Sequence, residues 1–232
     1  LRGFLNGFQF NSGYIKFNNS KSINVKGNLK SDIVLNKLHL NNIFKDKIQD
    51  NFEDFKLTGS VQKIFKIQFD QTLKIIDYQL EASGNIKKSE IKLKEPIKYS
   101  FVKNKIKKIN LEKSEFDINY NGKNEKSFSI KGSYKVNNNL FQKFNFKHLK
   151  ESNAQKISID GNFDNEVVIP ILNYNSNNQV INLDIALDTK KDKIIFRKLN
   201  FSEGKNKISV KNLHLDNKNL SKFDNISVNT FK

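Results

Sequence analysis

The sequence predicts an all-β fold, a long antiparallel meander broken by one short amphipathic helix. Three observations lead there. Most of the chain alternates apolar and polar residues with period two. The alternating runs are separated by Asn/Gly/Lys turn signals. Only 2 Pro interrupt 232 residues. Strict alternation places apolar side chains on one face of a strand and Lys, Asn, Asp and Ser on the other, as in half-buried antiparallel strands. Low hydrophobicity with high charge would suggest disorder in an aperiodic chain; the periodicity argues against it here.

Taken in order, Ile23-Asn24-Val25-Lys26 is the first clear alternating run. The rule then breaks over 43–55, where Phe44, Ile48, Phe52 and Phe55 fall on one helical stripe. Asn41 or Asn42 can cap its start, and Asp50, Glu53 and Asp54 keep the opposite face polar. The expectation is a helix over 43–55 that covers a sheet edge or fills the end of a groove. Alternation resumes in Phe116 to Tyr120, Phe128 to Lys131, Ile157 to Asp160, Ile181 to Leu187 and Ile208 to Lys211. Turns are expected at Asn121-Gly122, Asn137 to Asn139, Ser152-Asn153 and Asn175 to Asn178. A further helix or turn is expected over Glu166 to Tyr174, around the apolar run Val167 to Leu172. That run contains Pro170 and is far shorter than the ~20 residues of a membrane span.

A form recurs along the chain: an alternating run, then Gly, then a small polar residue, then an apolar one. It appears at Gly27, Gly59, Gly84, Gly132 and Gly161. Gly at that point suits a bulge or a bend in a strand. The spacing is irregular, so the chain is not a fixed-period solenoid.

Composition removes several function classes. With no Cys there is no disulfide, thiolate metal site or cysteine nucleophile. The 3 His leave little room for a histidine-built metal centre. His39 and His214 sit between leucines on expected strands, and His148 follows Phe144 and Phe146; all three are read as facing the polar side. No phosphate-cradling glycine loop, paired-histidine motif or nucleophile elbow is present. The expectation is a non-enzymatic protein with no cofactor and no metal. The net charge of +17 favours anionic partners. Only Arg2 and Arg197 are Arg, whereas nucleic-acid readers use Arg for bidentate contacts. The heavy use of Lys, Asn, Ile and Phe also fits AT-rich coding. Phenylalanines near lysines, namely Phe8, Phe10, Phe17, Phe101, Phe144, Phe146 and Phe201, read better as core or groove lining than as base-stacking platforms. Nucleic acid is therefore not the expected partner. The chain has no Met, even at its first position, which predicts a segment of a longer protein.

Gly-punctuated alternating strands, strings such as Ile208 to Asp216, and one amphipathic helix in a long meander resemble the AsmA-like superfamily. The repeat region of its YhdP-type and TamB-type envelope proteins is the nearest match, over about Gly13 to Val228. The resemblance implies a single extended segment over 1–232, a long antiparallel sheet curled into a U-shaped, taco-like groove. It implies a protein of the periplasm, anchored to the inner membrane through a segment not present here. Its apolar face would carry phospholipid acyl chains between inner and outer membrane, with other envelope proteins as further partners. The residues expected to line that groove are Ile23, Val25, Ile118, Phe128, Ile130, Ile157, Ile159, Leu183, Ile185, Ile208 and Val210. Two alternatives stand beside this reading. One is a periplasmic scaffold for outer-membrane protein assembly on the same fold. The other is a closed β-barrel that binds a soluble ligand or polysaccharide.

Overall fold

The computed structural model describes residues 2–19, 22–44, 51–122, 125–169, 174–176, 179–217 and 219–231. The chain opens with β1 (Gly3–Leu5), β2 (Phe8–Asn19) and β3 (Ile23–Asn36), then α1 (Lys37–Phe44). Four long strands follow: β4 (Phe52–Phe69), β5 (Ile75–Ile97), β6 (Ile106–Asn121) and β7 (Lys126–Val136). Next come β8 (Gln142–Glu151), β9 (Ala154–Phe163) and the short β10 (Val168–Ile169) and β11 (Tyr174–Asn175). The chain ends with β12 (Ile181–Lys190), β13 (Lys193–Glu203), β14 (Asn206–Asp216), β15 (Asn219–Lys222) and β16 (Asn225–Asn229).

Fourteen of these strands form one antiparallel sheet in sequence order, with β12 following β9. The meander expected from the alternation is what forms, because each turn returns the chain beside the strand just made. The sheet is open: β1 lies at one edge, and β15 and β16 share the other beside β14. A closed barrel, the third reading of the sequence, is therefore corrected.

The helix lies earlier than expected. It occupies Lys37–Phe44, while Phe52 and Phe55 belong to β4, and 45–50 lie outside the described residues. A β-bulge explains the misleading spacing. Phe52 pairs with Leu93 and Asp54 with Lys92, so Glu53 is an extra residue that brings Phe52 and Phe55 onto one face. Their rings are 6.2 Å apart. The cap also differs: Asn36 Oδ1 accepts the His39 backbone N–H at 3.1 Å, and His39 Nδ1 accepts that of Asn36 at 3.3 Å. This is a reciprocal capping box with histidine in the third helical position, so His39 is on the helix, not on a strand.

The expected helix or turn over Glu166 to Tyr174 is, where described, a pair of hairpin arms, β10 against β11; 170–173 lie outside the described residues. Val167 bridges Val102 in the β5–β6 connection. Val167 and Tyr174 pack with Ile181, Phe201 and Ile208 in one buried cluster at the ends of β12 to β14. Tyr174 donates its hydroxyl proton to the buried Glu203 carboxylate.

Candidate functional site

Register decides which side chains share a face, because directly opposed residues project to the same side. One row of opposed residues crosses the sheet from β2 to β16. It runs Phe10, Ser31, Val61, Gly84, Phe116, Ile130, Phe146, Ile159, Ile185, Leu199, Val210 and Ile226. At ~4.8 Å per strand this row is on the order of 50 Å long. The flanking rows are mostly apolar too, for example Ile118, Phe128, Ile157, Leu187 and Phe196, with His148 between Phe128 and Ile157.

All the expected lining residues fall on this one face. Ile23 and Val25 oppose Phe69 and Ile67. Ile118 opposes Phe128, Ile157 opposes Leu187, and Ile208 and Val210 oppose Phe201 and Leu199. Phe128, Ile130, Ile159 and Leu183 meet around a concavity of about 460 Å³ over β6 to β12. Ile23 and Val25 lie several strands away from it, and Ile208 is buried in the cluster under Tyr174.

The concavity has further walls: Phe144 and Phe146, which the sequence places as core or groove lining, and Ile109, Leu111 and Tyr134, which it did not single out. Their signal was present, since Tyr134 continues the phase of Phe128 and Ile130, and Phe144 and Phe146 alternate with Lys. Tyr134 and Phe144 meet edge to face with centroids 5.5 Å apart, and Phe128 and Phe146 are tilted at 5.9 Å. The walls also carry the Tyr134 hydroxyl, which donates to the backbone carbonyl of Asn162, itself a lining residue, at 2.8 Å across β8. Burial, and then the charge of Asp164, push the Tyr134 phenol up to about 12. With its proton held and its acceptor fixed, it is a structural group.

The recurring glycines all lie on the apolar side. Gly132 opposes Phe144, and a Cβ on it would come within 2.1 Å of Ser114 Oγ. Gly161 opposes Leu183, and its Cβ would meet the Lys143 carbonyl at 2.6 Å. Gly59 and Gly132 sit beside the register shifts of β4–β5 and β6–β7, as the bulge reading expects, while Gly161 sits in regular pairing.

Polar side chains also stand in the apolar phase, among them Lys63 and His148. Lys63 stands in the row between Leu29 and Ala82. Its ammonium sits 3.6 Å from the centroid of Phe8 and 5.8 Å from that of Phe10. Burial lowers its pKa. His148 opposes Phe128 and Ile157, which corrects its expected polar-side placement; its Nε2 is 3.0 Å from Gln155 Oε1. The reason is phase: 144, 146 and 148 share one parity along β8. His214 opposes Ile195 on the polar side, as expected.

The other face carries Lys, Asn, Asp and Ser, with surface pairs such as Lys131–Glu115 at 3.0 Å and Arg197–Asp188 at 3.2 Å. Among the described residues no group of three or more His, Asp or Glu is placed to hold a metal ion. No helix among them is long and apolar enough to cross a membrane. The arrangement offers a broad apolar surface suited to holding hydrocarbon. No family model, curated protein or solved structure matches the chain.

Proposed function

We propose that this chain is a non-enzymatic lipid-binding segment of an AsmA-like envelope protein. Its sheet curls into a U-shaped groove whose apolar face carries phospholipid acyl chains between the inner and outer membranes. The segment lies in the periplasm, and its anchor is a part of the protein outside these residues. The observation that carries this reading is the row from Phe10 to Ile226, apolar except at Ser31 and Gly84, with no second layer over most of it among the described residues. A sheet with one apolar face must cover it. Here α1 packs against β3 and β4 and, through His39, Phe4 of β1, and β10–β11 sits at one end. Acyl chains would supply the missing layer at ~0.8 kcal/mol per buried CH₂. A lining that is mostly apolar lets them slide.

Curling is supported by the small residues in the middle of the strands and by the end contacts. Ser31, Gly59, Gly84, Ser114, Gly132 and Gly161 all occupy the apolar side of neighbouring strands, where bulky side chains would resist bending inward. The β5–β6 connection also reaches the segment after β9: Lys103 N–H donates to Glu166 O, and Val168 N–H to Phe101 O, each at 3.0 Å. The strands β6 to β9 lie between them in the sheet.

The test is photo-crosslinking in cells from a probe at position 159 or 185, with position 131 on the other face as control. Lipid adducts at 159 and 185 but not at 131 are expected. Adducts only to other envelope proteins would move the reading to an assembly scaffold, and no lipid at either position would end the conduit reading.

A further inference from the structure

We propose that the strand ends around the β4–β5 turn form a docking surface for an anionic phospholipid bilayer. Two of its side chains, Phe17 and Ile75, belong to the end of the apolar face, but the docking does not depend on whether that face carries acyl chains.

The first observation is the turn itself. Asp70 Oδ1 accepts the Thr72 N–H at 2.8 Å, the Thr72 hydroxyl at 2.7 Å and the Lys74 N–H at 2.9 Å, while Asp70 N–H donates to Lys74 O. These bonds hold Asp70's carboxyl below its ordinary range. The turn they build places Leu73 at φ +63 with its side chain 68% exposed. The other non-glycine residues with positive φ, among those described, are Asn, Lys and Ser. A leucine in the left-handed region is strained, and this one projects hydrocarbon into water for that strain. A Gly or Asn would fit better on both counts, so folding alone does not account for Leu73.

Neighbouring apolar side chains are exposed at the same strand ends. Ile75 opposes Phe69 and is 54% exposed; Ile76, the extra residue of a bulge, is 58% exposed; Phe17, at the end of β2, is 74% exposed.

The third observation is charge. Lys16 opposes Lys26, and Lys26 opposes Lys66, so three lysines stand side by side across β2, β3 and β4. Like charges directly opposed destabilise a sheet. Among the described residues no carboxylate lies within ion-pair distance of any of them, nor of Lys74 in the turn. Lys16 leans instead on the Tyr14 ring at 5.1 Å. On the same face Lys198 is paired with Asp184 and Lys108 with Glu90. Apolar side chains exposed at the strand ends, with unpaired lysines on the other side of the same strands, are what an anionic bilayer satisfies: the side chains enter the headgroup region and the ammonium groups reach the phosphates.

The test is co-sedimentation of the full chain with vesicles of phosphatidylglycerol and phosphatidylethanolamine, against vesicles of phosphatidylcholine alone. Leu73→Gly is the central variant, since it removes the side chain and relieves the strained φ, so Tm should hold or rise. Its binding should fall on the order of tenfold, and Phe17→Ser should act in the same direction. Lys26→Gln should weaken binding roughly fivefold, more than Lys207→Gln, which makes the same charge change at the far edge. Equal binding by wild type and Leu73→Gly would overturn the proposal. So would equal effects of the two lysine variants, which would mean adsorption through net charge alone. Binding of inorganic phosphate that depends on Lys26, with vesicle binding indifferent to Leu73, would assign the lysines to a soluble anion and also overturn it. Lipid recovered from the apolar face, with no vesicle binding, would remove this surface and leave the conduit reading intact.

Discussion

Placing a carboxylate at Ile159 tests the assignment of faces on which the account depends. Ile159 is half-buried, directly opposed by Phe146 and Ile185, and lines the concavity. In Ile159→Asp, losing about half of a full isoleucine burial costs about 1 kcal/mol. The new carboxyl lies among apolar groups, so its folded pKa rises above the unfolded value of about 3.9. The sign follows from linkage. As pH rises through about 3.9 the unfolded chain gives up its proton first, so stability falls from there to the folded pKa and is level above it. A rise of two units adds about 2.7 kcal/mol. The total is about 4 kcal/mol near neutral pH and about 1 kcal/mol near pH 3. Urea unfolding of wild type and variant at both pH values measures the difference. Ser158→Asp is the control: its neighbour in sequence lies on the other face, opposed by Lys147 and Ala186, and should change stability by less than about 0.5 kcal/mol. A pH-independent loss in Ile159→Asp, or one no larger than in Ser158→Asp, would refute the assignment.

Three further outcomes are expected. Tyr134→Phe loses the hydrogen bond to the Asn162 carbonyl and should destabilise by about 1 kcal/mol in chemical denaturation; in the wild type, absorbance titration should show a tyrosine ionising late, near the raised value of about 12. Asn36→Ala removes the cap of α1 and should cost about 1 kcal/mol, with loss of amide protection at His39 as the local readout. Lys63→Met should raise Tm at neutral pH, because burial disfavours the ammonium in the fold. Since that penalty is full below the folded pKa and is relieved as pH rises from there toward the unfolded value, calorimetry should show the gain shrinking in alkali. A destabilised, pH-independent Lys63→Met would mean that the contact with Phe8 outweighs desolvation.

The strands were legible because alternation is a local pattern that a half-buried sheet preserves. From Phe116 to Val210, parity alone put Ile118, Ile130, Ile159, Leu183, Ile185 and Val210 on one side. The helix was misplaced because the bulge at Glu53 turns a spacing of three into two same-face positions, which imitates a helical stripe. A bulge is set by the partner strand, so 43–55 could not reveal it by itself. The actual cap at Asn36 uses a histidine where Glu or Gln is usual, which hid the start of α1. Lys63 and His148 break no period; they are polar residues in apolar phase, and only their registers with Leu29 and Phe128 show it. Tyr134, Phe144 and Phe146 were readable by parity, but their meeting around one concavity depends on how neighbouring strands stack.

The central claim is that hydrocarbon completes the apolar face, and the most direct measurement is native mass spectrometry of the purified chain with extraction of whatever is bound. The account predicts phospholipid with mixed headgroups on the wild type and a marked depletion on Ile159→Asp that Lys131→Asp does not share. A lipid-free wild type, or a bound sugar or nucleotide in place of lipid, would contradict it.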